Sequence, residues 1–208
     1  MIRQIIFHWG AAVWYITDDY VKMSSALINF IIDNKKQTLI FYSDKSHKFL
    51  RMPLKNARLR VRNYNKDSRF IWGPLKKVGE DKLFGEKVNL MVRFGKRRSD
   101  DPMVKTAKFR DELWVLSKLK FLPDAEEALD ELLRGSFSSG FPLRNVRYGY
   151  IKGREARSMQ RSVMNDVNYL VRKPIALRIF AVPVGYKEAS SEMELMSVSG
   201  DMGSFSSP

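Results

Sequence analysis

The chain of 208 residues is 44% apolar and 12% aromatic, ordinary values for one globular domain with a full core. Its 37 Lys and Arg against 23 Asp and Glu leave a net charge of +14, so the expected partner is anionic: a nucleic acid, a membrane surface or an acidic protein. There is no cysteine, and His8 and His47 are the only histidines. That excludes disulfides, thiolate catalysis and Cys- or His-rich metal centres, and it suits a reducing intracellular compartment, cytoplasmic or nuclear.

Residues 5–16, IIFHWGAAVWYI, are almost wholly apolar but stop at Thr17-Asp18-Asp19. A membrane-spanning helix needs roughly 20 such residues, so a buried strand or strand pair bent at Gly10 is expected, with His8 inside it. A signal peptide fits poorly, because only Arg3 supplies positive charge and no small-x-small site precedes the acidic pair. Thr17, Asp18 and Asp19 offer N-cap chemistry, and Tyr20, Met23, Leu27, Phe30 and Ile31 follow at helical spacing, so 18–33 reads as an amphipathic helix. Strands are expected over 38–43, over 48–54 with Pro53 placing it at an edge or ending it, over 56–64 and over 69–72. Gly79 to Gly85 reads as a loop, and 87–94 as a strand with Val88, Leu90 and Val92 on one face.

Residues 95–101, GKRRSDD, read as a charged loop. Asp101-Pro102 pairs an N-cap with proline at the first helical position, which predicts a helix to about Phe121. A second, acidic helix is expected over 123–134, its first turn suited to the helix dipole and Gly135 its C-cap. SFSSGFP, 136–142, reads as a loop or lid, 144–152 as a strand and 154–172 as a basic amphipathic helix. A hydrophobic strand over 175–184 closes the domain, and the Ser- and Met-rich segment from Lys187 shows no period. The expected fold is therefore α+β: an antiparallel sheet of about five to seven strands packed against several helices. One basic domain would cover 1–186, followed by a disordered tail, 187–208.

Charge is concentrated in 46–98, where 16 Lys and Arg face four Asp and Glu, +12 of the total +14. On a strand, Arg58, Arg60 and Arg62 would share one face at a spacing of roughly 6 to 7 Å, close to that of phosphates along one nucleic-acid strand. A solvated sheet face is the plain alternative. Lys66, Arg69, Lys96, Arg97 and Arg98 extend the charge. A second basic–aromatic site places Tyr148 and Tyr150 two apart beside Arg144, Arg147 and Lys152. Paired aromatics on one strand face are how RNA-recognition sheets stack bases, but the full ribonucleoprotein consensus wants Gly where Tyr148 stands. Arg154, Arg157 and Arg161 would share one face of the expected basic helix.

Asp67 with Glu80-Asp81-Lys82 formally fits the D…ExK order of a Mg²⁺-dependent nuclease, an order that arises often by chance in charged chains. No P-loop, GxGxxG, HExxH or GxSxG motif is present. The leading expectation is a non-enzymatic protein, without cofactor or metal, that binds RNA or single-stranded DNA largely independently of sequence. Its contacts would come from Arg58, Arg60, Arg62, Lys66, Arg69, Lys96, Arg97, Arg98, Arg147, Tyr148, Tyr150, Arg154, Arg157 and Arg161. The order strand, helix, several strands resembles that of the matrix proteins of negative-strand RNA viruses, which are also small and basic, although no motif is shared. That resemblance implies the alternative, a structural protein that binds anionic membrane and self-associates.

Overall fold

The computed structural model describes residues 1–6, 10–26, 29–57, 70–97, 107–133, 137–151 and 160–197. More than half of it is strand, which overturns the expected α+β class: the protein is mostly β-sheet, and its helices are few and short. A first antiparallel meander comprises β1 (Ile2–Ile6), β2 (Gly10–Ile16), β3 (Tyr20–Ser25), β4 (Asn29–Asp33), β5 (Thr38–Ser43) and β6 (Lys48–Pro53). The second contains β7 (Phe70–Trp72), β8 (Lys76–Leu83), β9 (Glu86–Arg97), β10 (Ala107–Leu116), β11 (Phe141–Ile151) and β12 (Gln160–Leu170). In it β12, β11, β10 and β9 are neighbours in that order, and both β7 and β8 pair with the far side of β9. The meanders join where β1 pairs antiparallel with β12, Ile2 opposite Leu170 and Ile6 opposite Asn165. The Met1 ammonium donates to Val171 O at 2.9 Å beside this seam.

The expected helix over 18–33 is the β3–β4 hairpin. Its apolar residues are buried on both faces of the sheet, and every residue of β4 is buried, so the alternation that marks a strand is hidden. On one face, Val21, Met23, Phe30, Ile32, Leu39, Leu50 and Met52 enter the main core. On the other, Tyr20, Ile31, Ile40, Tyr42 and Phe49 form a second layer. Without the 18–33 helix, the element order that resembled the viral matrix proteins is lost.

The second layer is covered by 175–186. These residues are no central strand: they run extended around a 3₁₀ turn, Leu177–Phe180. Phe180 stacks on Tyr20 with centroids 5.1 Å apart, and Lys22 Nζ donates to Ile179 O at 2.8 Å. The start of the expected tail is also placed. β13 (Lys187–Glu188) adds a parallel strand to β6, and a short helix, Glu192–Met196, buries Leu195 and receives a hydrogen bond from Ser46 Oγ at Leu195 O. Residues 198–208 lie outside the described residues.

The main core spans both meanders. Trp14 is fully buried and meets Phe30 edge-on at 5.8 Å and Phe141 edge-on at 5.2 Å. Burying such a ring contributes on the order of 1.5–3 kcal/mol. The acidic helix forms as expected, α1 (Pro123–Leu133), and Ala125, Ala128 and Leu129 dock it onto the core. Phe137 and Phe141 are buried beside Trp14, so these two rings anchor 137–142 on the core where a loop or lid was expected; Ser136 lies outside the described residues. The expected helices over 102–121 and 154–172 are overturned where described, by β10 and β12, while 102–106 and 154–159 lie outside the described residues; the expected loop over 79–85 is overturned by β8, which ends in a turn at 84–85. The strand expected over 56–64 is contradicted at its start, where 54–57 are helical; 58–69 lie outside the described residues.

Candidate nucleic-acid interface

In an antiparallel ladder, residues directly opposite one another share a face. The register of β9, β10, β11 and β12 therefore places Phe94, Arg110, Tyr148 and Arg161 in one transverse row. The next row toward the strand ends carries Lys96 and Lys108, with Tyr150 opposite Lys108; the row on the other side carries Val92, Glu112, Val146 and Val163. The same sheet face belongs to the main core lower down, at Val88, Leu116 and Phe141. It then emerges into solvent. Phe94 is 65% exposed, Lys96, Lys108 and Arg161 are exposed, and on flanking β7 Ile71 is 48% exposed opposite Lys96.

The row is held together locally. Arg110 pairs with Glu112 Oε1, and its guanidinium carbon lies 6.0 Å from the Tyr148 ring centroid. Tyr148 OH donates to Glu112 Oε2 at 3.2 Å. The carboxylate thus fixes both a cation and an aromatic ring above the barrier of Val92 and Val146, while Phe94 remains open. The result is a row of alternating aromatic and guanidinium side chains, Phe94, Arg110, Tyr148 and Arg161, at about 4.8 Å intervals set by strand spacing.

The opposite face of the same strands is closed. Arg93, Asp111 and Arg147 are direct cross-strand neighbours, and Asp111 is fully buried. It accepts from Arg147 Nε at 2.7 Å and NH2 at 2.9 Å, and from Arg93 Nε at 3.2 Å and NH2 at 3.0 Å. Trp72 covers both guanidiniums, with ring centroids 4.3 Å from Arg93 and 4.7 Å from Arg147. The indole can lie this close because Gly95 is beneath it; a Cβ there would come within 2.6 Å of Cζ3. The structure places Arg147, expected as a phosphate ligand, in this ion cluster on the closed face.

Of the residues expected to bind nucleic acid, Lys96, Tyr148 and Arg161 are brought together on the open face. Arg161 comes from a strand rather than a helix. Arg97 stands on β9 opposite Phe70, and Tyr150 on β11. Arg58, Arg60, Arg62, Lys66, Arg69, Arg98, Arg154 and Arg157 lie outside the described residues. At the Lys96–Lys108 end of the sheet β9 and β11 end while β7, β10 and β12 begin. Phe94, Lys108 and Arg110 were missed. Alternation from Val92 would have continued through Phe94 to Lys96, but the expected helix over 102–121 hid Lys108 and Arg110.

The residues of the nuclease pattern are placed only in part, since Asp67 is outside the described residues. Glu80 lies on β8 with its oxygens held by Lys77 at 2.6 Å and Lys87 at 2.5 Å, and these amines bring its carboxyl down to about 2. Asp81 instead accepts from Trp114 Nε1 at 2.9 Å, and its carboxyl is also lowered, chiefly by the Lys82 backbone N–H and then by this indole. Among the described residues no cluster of His, Asp and Glu is arranged to hold a metal ion, and no helix is long and apolar enough to cross a membrane. Set against known proteins, the chain matches no family model, no curated protein and no solved structure.

Proposed function

We propose that the protein is a non-enzymatic binder of single-stranded nucleic acid, RNA or single-stranded DNA, and that the open face of β9–β12 is its contact surface. One observation carries the reading: an exposed aromatic ring, Phe94, and a half-buried one, Tyr148, share a sheet face with Lys96, Lys108, Arg110 and Arg161. Rings stack bases whatever their identity, and cations around them neutralise the phosphates that link the bases. The net charge of +14 favours the same partner. A duplex would present its bases inward and leave Phe94 without a role.

The test is a salt titration of binding to a labelled single-stranded RNA, in parallel with phosphatidylserine vesicles. With three or four phosphates engaged by the described cations, log K should fall with log salt at a slope of about −2 to −3. Phe94→Ala should weaken RNA binding by about 5- to 150-fold, the range of one lost base stack. Vesicle binding that matches RNA binding and ignores Phe94→Ala would replace nucleic acid with anionic lipid as the partner.

A further inference from the structure

Phosphate attraction and stacking do not distinguish bases, yet the platform contains a group suited to do so. Arg110 and Glu112 stand two apart on β10, on the open face, between the strands that carry Phe94 and Tyr148. Together they present, along the strand, a guanidinium donor followed by the two acceptor oxygens of a carboxylate. The Watson–Crick edge of guanine is the complement: an acceptor at O6, then donors at N1 and N2. Cytosine offers guanine the same donor–acceptor–acceptor order. Uracil, with its central donor flanked by acceptors, and adenine, which has a single amino donor there, match it less well.

We propose that Phe94 stacks a guanine base and that the Arg110–Glu112 pair reads its Watson–Crick edge. The inference rests on the nucleic-acid reading above and adds a base preference to it. The geometry supports it in three ways. Phe94 is directly opposite Arg110 in register, so a base lying on the exposed ring has an edge over the pair. Glu112 is held from two sides, by Arg110 at Oε1 and by Tyr148 OH at Oε2, so the acceptors are oriented before a ligand arrives. Each oxygen keeps lone-pair capacity, because an ionised carboxylate accepts about four hydrogen bonds. Finally, the Arg110 side chain is 40% exposed beside Glu112, so a base above the row can reach it. A base with three matched groups satisfies the pair where a mismatched edge would leave one group opposed.

The test uses the full chain and fluorescently labelled five-nucleotide RNAs: UUGUU, UUUUU, UUAUU and UUIUU, where I is inosine, which lacks the N2 amino group. The expected result is that UUGUU binds about tenfold more tightly than UUUUU, with inosine between them, as one good bidentate contact provides. Glu112→Gln should bring the guanine-to-uracil ratio close to one. Because Glu112 also holds Tyr148, its melting temperature is measured first. Should Glu112→Gln fail to fold, Phe94→Ala takes its place and should weaken UUGUU more than UUUUU. Guanosine monophosphate as competitor separates the two sources of the base: displacement at concentrations near the oligonucleotide's Kd points to free nucleotide, and none points to a base within a strand. Equal affinity for UUGUU and UUUUU overturns the guanine inference and leaves the general binding intact. Failure of every oligonucleotide to bind at low salt overturns both.

Discussion

Asp111 is where the sheet is most sensitive to a single change. Its carboxylate is fully buried and accepts four N–H bonds from two guanidiniums, themselves nearly covered by Trp72 and the neighbouring strands. Asp111→Ala would leave Arg93 and Arg147 facing each other across β10 with the shared countercharge gone. Breaking a buried pair costs about 3–5 kcal/mol, because the surviving charges stay desolvated. For a chain of this size that corresponds to a fall in melting temperature of about 6–20 °C. Thermal unfolding followed by circular dichroism measures it, and urea unfolding gives the free energy. A second variant separates charge from shape: Arg93→Met with Asp111→Leu and Arg147→Met should recover most of the loss, because apolar replacement of a whole buried ion cluster is often neutral or better. A loss below about 1 kcal/mol for Asp111→Ala, the scale of an exposed pair, would refute the buried cluster.

Three further changes test other parts of the fold. Gly95→Ala pushes a methyl group into the Trp72 indole and should cost about 1–3 kcal/mol, with a change in tryptophan fluorescence as β7 shifts. Asp130 is half-buried, and desolvation raises its carboxyl to about 6, although the Phe137 and Ser138 N–H groups and Arg93 pull the other way. Because the folded value lies above the unfolded one, Asp130 favours the folded state at low pH and loses that contribution as pH rises through about 6. Asp130→Asn should therefore flatten the stability profile between pH 4 and pH 7 and gain up to about 2–3 kcal/mol at neutral pH in urea unfolding, less whatever the weaker acceptor gives back. Phe180→Ala removes the ring stacked on Tyr20 and should cost about 3 kcal/mol locally, seen as lost amide protection over 177–197 while the Trp14 core stays protected.

The sequence made several elements legible where local chemistry and burial agreed. TLIFYS is bounded by turns on both sides and is β5; the acidic first turn after Pro123 begins a real helix; Gly10, at φ +75°, marks the hairpin between β1 and β2. Where they disagreed, period failed. Met23, Phe30 and Ile31 are buried on two different faces of a sheet, and summed along the chain they imitate one helical stripe. On β10, the buried Asp111 sits between Leu113 and Phe109, so a strand face that is interior reads as broken by charge. Only the arginines opposite, 18 and 36 residues away, make that position acceptable, and no window along β10 contains them. The basic–aromatic site was half legible for the same reason. Tyr148 was visible within its own strand, but its partners Phe94, Arg110 and Arg161 come from three others.

The seam between β1 and β12 has a consequence for how the protein is made. Ile2 finds its partner at Leu170, so the amino-terminal meander leaves the ribosome long before the strand that completes it. At about 5–20 residues per second, β1 waits on the order of 10–30 s with one edge unpaired. An open edge is a template for pairing with another chain. Slow synthesis or crowded polysomes should therefore favour association between nascent copies, and a chaperone that shields residues 2–6 should raise the yield of monomer. A circular permutant that places β12 directly before β1 would close the seam early and remove that window.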